Sequence, residues 1–317
     1  MRGIACALAL AMSVAALTGC SVNESAPPQP STPVPTPATV VIGTLPTDDL
    51  LPLWVAIENG FAVQNGVDIV IQTFASAQEQ IAAVSAGELD AIMTDLVVTV
   101  QLSASGTRMR VVTVLQGSPA GIVANADSGI ETVADLAGVP VGCSSPTIMQ
   151  YILDTALTKA DVPQQQWNTT EIKDLPTRLE VLLSRQIGVA VLPWTMHAYA
   201  VQQGAVSLIG PGQADEVTST VLAFRADFLN QPGADDVVAA IWRSWDAGVA
   251  SVNASPSTYE DLLRTKASLP DDLVYPVRTY PSSAPVTQGQ VEAVVAWMMD
   301  RGYITTPVPF DDLKYPG

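Results

Sequence analysis

Positive charge is scarce in this sequence: 14 Lys and Arg residues stand against 31 Asp and Glu residues, and the formal net charge at pH 7 is −17. A nucleic-acid-binding protein needs a basic surface that neutralises phosphates, so this balance excludes nucleic acid as a natural partner. Direct adhesion to anionic lipids is disfavoured for the same reason. Solubility at a crowded surface explains the excess of acidic residues adequately.

Cysteine and histidine are also rare, with three Cys residues and one His in the chain. Cys6 and Cys20 fall in the N-terminal segment, which leaves Cys143 as the single thiol of the remaining chain. One thiol cannot form an internal disulfide, and no metal-ligand spacing is present. We therefore expect neither a bound metal nor a cofactor.

Common catalytic motifs are missing as well. The sequence has no Gly-Xaa-Ser-Xaa-Gly elbow, no phosphate-binding loop and no zinc-binding helix motif. A nucleophilic pairing of Cys143 with His197 is the sharpest catalytic alternative. However, a lone cysteine at the end of a strand is more often a small packed residue, and no carboxylate is indicated near His197. We expect no catalytic residues and a protein that is not an enzyme.

The longest apolar run near the N-terminus covers residues 4–17, about 14 residues after Arg2. This length suits a signal peptide and is short of the roughly 20 residues that a spanning helix needs. The run ends in Leu17-Thr18-Gly19-Cys20, which resembles the bacterial lipobox. The resemblance implies a signal peptide of residues 1–19 and a lipidated Cys20 whose two acyl chains form a stable anchor. An ordinary secretory signal with a chance cysteine is the alternative.

A proline-rich segment follows the lipidation site. Six prolines lie between residues 21 and 39 among small polar residues. Such a segment cannot form a core and prefers an extended polyproline conformation, with a reach of about 60 Å. We interpret residues 20–39 as a lipidated cysteine and a tether, and we predict no other contact with the membrane.

The rest of the chain is typical of a globular protein, since 48% of all residues are hydrophobic and 14% are charged. Short β-branched runs alternate with helical patterns. Strands are predicted at 40–42, 67–71, 89–93, 110–115, 122–125, 139–143, 187–192, 206–209 and 218–224. Helices are predicted at 51–59, 78–86, 96–104, 133–137, 147–157, 177–184, 196–203, 237–254, 257–266 and 288–301. This alternation indicates βαβ units and parallel sheets that are buried on both faces.

Several segments carry a family resemblance. Residues 52–61, Pro-Leu-Trp-Val-Ala-Ile-Glu-Asn-Gly-Phe, are followed by Gly-Val-Asp-Ile at 66–69 and Ala-Gly-Glu-Leu-Asp-Ala at 86–91. Residues 130–142 and 296–304 continue the match. Together they resemble the type II periplasmic binding proteins of ABC importers, in the nitrate, sulfonate and thiamine-pyrimidine branch. The resemblance covers nearly the whole chain after the tether.

This resemblance implies two α/β lobes, each a mostly parallel sheet flanked by helices, that close on a ligand and are joined by two crossings. We place the crossings near 116–118 and 218–224, so that lobe I is 40–116 with 222–317 and lobe II is 117–221. The implied function is a monomeric, extracytoplasmic receptor that delivers a small molecule to an ABC permease. A receptor for a membrane signalling protein is an alternative. A pyrimidine synthase is a weaker one, because the chain has one His and no cysteine cluster.

Candidate ligand contacts follow from strand ends. In open parallel sheets, ligands bind beyond the carboxyl ends of the strands, where helix N-termini offer free N–H groups. Several of these side chains could instead only cap helices. The candidates are Thr47, Asp48, Asp49, Ser76, Gln78, Thr94 and Asp95 in lobe I and Ser144, Ser145, Thr147 and Trp194 in lobe II.

The chemistry of these loops bears on the ligand. The tips of these loops carry no Lys or Arg, and the loops of lobe I contain three acidic residues, Asp48, Asp49 and Asp95. This favours a ligand with amine or heteroaromatic donors, such as a pyrimidine, over a small oxyanion. The hydroxyls at 144, 145 and 147 could nevertheless hold a carboxylate, sulfonate or phosphate at a helix N-terminus. Trp194 offers a flat surface for stacking.

Overall fold

The computed structural model describes residues 38–115, 119–210, 213, 220–275 and 277–317. The predicted signal peptide, Cys20, most of the tether and the first crossing at 116–118 lie outside the described residues. Within those described ranges, no helix is both long enough and apolar enough to cross a membrane.

The described strands form two five-stranded sheets with the same plan. In each sheet four strands run in one direction and one strand, β10 or β5, is antiparallel to its neighbours. The strands are β1 Ala38–Thr44, β2 Val67–Thr73, β3 Ala91–Asp95, β4 Met109–Leu115, β5 Ala120–Ala124, β6 Pro140–Cys143, β7 Asn168–Glu171, β8 Val189–Pro193, β9 Val206–Ile209 and β10 Thr220–Arg225. Their orders are β2-β1-β3-β10-β4 and β7-β6-β8-β5-β9. We call the first sheet with its helices lobe I and the second lobe II.

Helices cover both sheets. They are α1 Leu51–Glu58, α2 Phe61–Gln64, α3 Ala77–Ala86, α4 Leu96–Ala104, α5 Ile148–Lys159, α6 Leu175–Leu183, α7 Trp194–Gln202, α8 Ala226–Leu229, α9 Ala234–Ala254, α10 Glu260–Lys266, α11 Gln288–Asp300 and α12 Phe310–Leu313. Local sequence sets several ends: Asp174 caps α6, and Thr287 with Gln290 forms a capping box at α11. Gly87 ends α3 in a left-handed conformation, which glycine adopts without steric cost.

The strands reflect how each sheet is covered. Every residue of β3, β5 and β8 is buried, as expected for apolar strands with helices on both faces. In contrast, β7 has the sequence Asn-Thr-Thr-Glu, and none of its residues is buried. It lies at the edge of its sheet, so its polar sequence did not predict a strand.

The two lobes share part of their core. One apolar cluster extends from Ile92 in lobe I to Val191 in lobe II. On this side α11 also holds α5 of lobe II, because Trp297 Nε1 donates to Asp154 Oδ2 at 3.0 Å and Arg301 Nε lies 3.1 Å from the same oxygen. Helix α11 therefore stabilises the arrangement of the two sheets.

Lobe I contains one very close helix contact. Helix α9 packs against α1 at Gly248, where a Cβ atom added to the glycine would lie 1.9 Å from the carbonyl oxygen of Pro52. Only a residue without a side chain allows the two helices to approach this closely. The contact places the start of α1, and with it the turn that precedes α1.

Candidate ligand-binding cleft

The two lobes are joined by direct hydrogen bonds. Leu175 N of lobe II donates to Ala75 O of lobe I at 3.3 Å. Gln202 of α7 donates to Asp272 O at 2.7 Å and accepts from Val274 N at 2.8 Å. The lobes are therefore in direct contact near the loops that carry several predicted site residues.

Asp48 and Asp49 form a buried charge cluster with an arginine that sequence reasoning missed. They belong to the turn Asp48–Leu50 that leads into α1, and both are buried. Arg278, between α10 and α11, places Nε 2.6 Å from Asp48 Oδ2 and Nη2 3.2 Å from Asp49 Oδ1. Burial and the neighbouring Asp48 raise the pKa of Asp49, while Arg278 acts in the opposite direction.

Hydroxyl groups complete this cluster. The Tyr275 and Tyr280 hydroxyls donate to the side chain and to the carbonyl of Asp48, at 3.0 and 2.8 Å. Thr47 and Thr220 hydroxyls donate to Asp49 at 2.8 and 3.1 Å. Most of the hydrogen-bonding capacity of the two carboxylates is therefore used within the protein. Arg278 has no sequence motif, and only the fold brings it to this turn.

Ser76, Gln78 and Thr94 occupy the neighbouring loops of lobe I. Ser76 Oγ accepts from Glu79 N at 3.3 Å and so caps α3. Thr94 is buried in β3, opposite Val221 of β10. The Gln78 Oε1 atom is buried and has no hydrogen-bond partner. Of these three side chains, Gln78 has unused capacity to bind a ligand.

Asp95 links the lobes. Its Oδ1 accepts from Val98 N at 2.9 Å, which caps α4 in lobe I. The backbone amides of Ile148, at the start of α5 in lobe II, and of Val97 are close enough to the carboxylate to favour its ionised form. Burial raises the pKa of Asp95 to about 6 against the opposing effect of these amides. A carboxylate of the protein itself thus lies at the N-terminus of α5.

Ser144, Ser145 and Thr147 lie in the loop before α5. Ser144 and Thr147 are buried, and the Thr147 hydroxyl donates to Ser144 O at 2.7 Å. Ser145 N donates to Glu171 Oε1 at 3.3 Å, and the Ser145–Pro146 peptide bond is cis. The contact of these three hydroxyls with a ligand stays a prediction.

The start of α7 carries unpaired polar atoms. Trp194 is half-buried, and its ring meets Tyr275 edge-on at a centroid distance of 6.5 Å. Trp194 Nε1 and Thr195 Oγ1 are both buried without a hydrogen-bond partner. Thr195 was not among the predicted contacts, although its position one residue after Trp194 could have indicated it.

A cavity of about 500 Å³ opens beside these residues. Lobe I contributes Pro46 and the segment 267–270, and lobe II contributes α6 and α7. Its lining is largely apolar and includes Leu179, Met196 and Thr195. The cavity adjoins Thr47 and Trp194 in sequence, so two predicted positions flank it. Sequence reasoning missed its apolar side chains because they also match ordinary helix faces.

The partners of Cys143 and His197 do not support the nucleophilic pairing of these two residues. Cys143 is fully buried, and burial raises the pKa of its thiol to about 12. His197 Nε2 lies 3.0 Å from Ser207 Oγ, and burial lowers the pKa of the ring to about 4. Within the described part of the chain, no group of His, Cys, Asp and Glu side chains could hold a metal ion.

Comparison with known proteins gives a family and a fold. The model of the family described as NMT1/THI5 like matches residues 47–258. A search of curated protein sequences found no match. Among solved structures, the periplasmic aliphatic sulphonate binding protein SsuA from Escherichia coli matches with a TM-score of 0.74 and 16% identity, over 88% of this chain and 98% of that chain.

Two further structures show what else the fold supports. The periplasmic nitrate-binding protein NrtA from Synechocystis PCC 6803 has a TM-score of 0.68 and 14% identity, over 87% of this chain and 84% of its own. The desulfurization enzyme DSZB has a TM-score of 0.64 and 13% identity, over 88% and 96%. At these identities the likeness establishes the fold alone, and the predicted two-lobed fold of type II periplasmic binding proteins is confirmed.

Proposed function

The chain belongs to the NMT1/THI5-like family, and from this premise we propose that it is a solute-binding receptor that delivers a small molecule to an ABC permease. The observation that carries the proposal is the cavity of about 500 Å³, which is lined by both lobes. A ligand in such a position stabilises the closed form over the open one, as import requires. The sulphonate- and nitrate-binding proteins of the same fold support this assignment.

In this proposal the receptor is extracytoplasmic, monomeric and anchored through lipid on Cys20. Lobe I comprises residues 40–116 with 222–317, lobe II comprises 117–221, and the tether at 20–39 holds them away from the bilayer. Two acyl chains on one cysteine are sufficient for a stable anchor. The proposed ligand contacts are Thr47, Asp48, Asp49, Ser76, Gln78, Thr94, Asp95, Ser144, Ser145, Thr147 and Trp194.

The test is the isolation of the full chain from its own membrane, followed by native mass spectrometry. We expect one small molecule per chain and a diacylglycerol-modified Cys20. The variant Cys20→Ser should leave the membrane fraction and keep the same bound molecule. Deletion of the gene should abolish high-affinity uptake of that molecule, and the wild-type gene should restore it.

Two results would contradict import. Conversion of the bound molecule by the purified protein would support an enzyme, a role that DSZB has on the same fold. Unchanged uptake in the deletion strain, together with loss of a transcriptional response to the molecule, would support the signalling receptor. Both outcomes leave binding in the cleft intact, so they separate transport from recognition.

A further inference from the structure

We infer that the solute is an uncharged molecule with a mainly apolar aromatic or aliphatic body, and that this body occupies the cavity between α6, α7 and residues 267–270. The inference rests on the proposed function, because it names the class of solute for that same cleft. Three observations support it: the apolar lining of the cavity, the buried and unpaired hydroxyl of Thr195 in that lining, and the charged side chains near the cavity.

The wall of the cavity is built for apolar contact. Pro46 and Leu269 approach from lobe I, while Leu179, Leu183 and Met196 approach from lobe II. Its charged lining residue, Glu180, is exposed at the rim of the cavity. A volume of about 500 Å³ lies within the range of pockets that bury a drug-sized ligand. Burial of a ligand's apolar surface against such a wall is favourable, whereas burial of an ionised head group there is not.

One polar atom in the wall lacks a partner. Thr195 is fully buried at the start of α7, lines the cavity, and its Oγ1 has no hydrogen bond within the protein. Buried hydroxyls are almost always paired in folded proteins, so an unpaired one in a cavity wall points to a ligand. It can serve one hydroxyl, carbonyl or ring nitrogen of the solute.

The arginine and the carboxylates near the cleft already have partners within the protein. Arg278 pairs with both Asp48 and Asp49, so one guanidinium faces two carboxylates and offers no excess positive charge. At the N-terminus of α5, where an anion would be favoured, the Asp95 carboxylate already lies near the Ile148 amide. A sulfonate or nitrate would meet this carboxylate and would have to displace it. Electrostatics therefore disfavour a small oxyanion at both places.

The experiment compares an uncharged aromatic probe with two small anions. The full chain is placed in lipid nanodiscs, and binding is measured by fluorescence with empty nanodiscs subtracted. The probes are 2-naphthol (uncharged at pH 7), methanesulfonate and nitrate. We expect saturable binding of one 2-naphthol per chain, with no competition from a large excess of either anion.

Variants assign this binding to the cavity. Leu179→Trp fills the space and should weaken 2-naphthol binding by about tenfold or more. Thr195→Val keeps the volume but removes the hydroxyl, and should weaken it by about threefold. Val206→Trp adds the same side chain at an exposed site of lobe II and should change nothing. Should Leu179→Trp fail to fold, Thr195→Val still decides.

Three results overturn the inference. Saturable binding of methanesulfonate or nitrate that is insensitive to Leu179→Trp would retain the receptor and reject an apolar solute. Absence of saturable binding for every probe, in a protein that also carries no small molecule from its native membrane, would reject both the inference and the proposed receptor. Retention of full 2-naphthol affinity in Leu179→Trp and Thr195→Val would place the probe elsewhere and reject the cavity.

Discussion

Each lobe holds an arginine with several hydrogen-bond partners, but the chemistry of the partners differs between the lobes. In lobe I, Arg278 pairs with the carboxylates of Asp48 and Asp49. In lobe II, Arg178 is fully buried and donates to the carbonyl oxygens of Ile172 and Val191. In lobe I the arginine forms salt bridges with carboxylates, whereas in lobe II the arginine is hydrogen-bonded to neutral backbone carbonyls.

This difference shows two ways in which a strongly acidic protein satisfies an arginine side chain. The carboxylates of lobe I are used by Arg278 and by nearby hydroxyls. The guanidinium of Arg178 joins Val191 in β8 to Ile172, the residue that follows β7, and it is buried. Burial lowers the pKa of Arg178, but an arginine side chain stays protonated in proteins because its ordinary pKa is very high.

Arg278→Met should give the largest loss of stability. It leaves two buried carboxylates without their cation, and breaking a buried pair in this way costs about 3–5 kcal/mol. Urea unfolding of the full chain at pH 7 measures the loss. Arg243→Met, at an exposed arginine of α9, should stay within about 0.5 kcal/mol of the wild type. Equal losses in both variants would contradict the charge cluster.

Asp95→Asn should change how stability depends on pH. The pKa of Asp95 is about 6 in the folded protein against an ordinary 3.8, so its contribution is fully present below pH 4 and is lost as pH rises through 6. This amounts to as much as about 3 kcal/mol between pH 4 and 7. Asparagine also caps helices, so the variant should remove the pH dependence and keep the cap of α4.

Urea unfolding at pH 4, 5, 6 and 7 checks this prediction. The stability of Asp95→Asn relative to the wild type should rise across that range. Asp135→Asn is the matched control, because hydrogen bonds from Thr132 lower the pKa of exposed Asp135 below 3.8 and it does not titrate there. A constant difference between Asp95→Asn and wild type would mean that Asp95 titrates normally.

Arg178→Met should have the smallest of the three effects, a loss of about 2 kcal/mol in urea unfolding. The variant leaves the Ile172 and Val191 carbonyls without donors, but it also removes a desolvated cation, and the two changes partly offset each other. Arg178→Lys should lose a similar amount, since an ammonium cannot reproduce the planar fork. A loss in Arg178→Met as large as in Arg278→Met would erase the contrast between the lobes.

Much of the fold could be predicted because the hydrophobic pattern of the sequence agrees with the faces that the helices and strands bury. Helix α4 and strand β9 have the predicted bounds, and most other predicted elements lie within a few residues. The strand β7 was missed because an edge strand needs no apolar pattern. The helix predicted at 133–137 is a short 3-10 turn over Val133–Leu136.

The site was less predictable for a physical reason. Loops at strand ends follow from the βα alternation, so Ser76 and Asp95 could be placed at helix starts from the sequence. Arg278 and Leu179 reach the cleft only through long-range folding, and neither belongs to a motif. The acidic loops indicated uncompensated charge, whereas the structure supplies Arg278 to Asp48 and Asp49.

The contact of Gly248 with Pro52 limits which substitutions this protein can accept at position 248. Any larger residue at 248 pushes α1 outward, and the turn that carries Asp48 moves with it. Asp48 and Asp49 would then lose their alignment with Arg278 although none of these three residues is changed. Selection that preserves this charge cluster would consequently also preserve a glycine that has no contact with it.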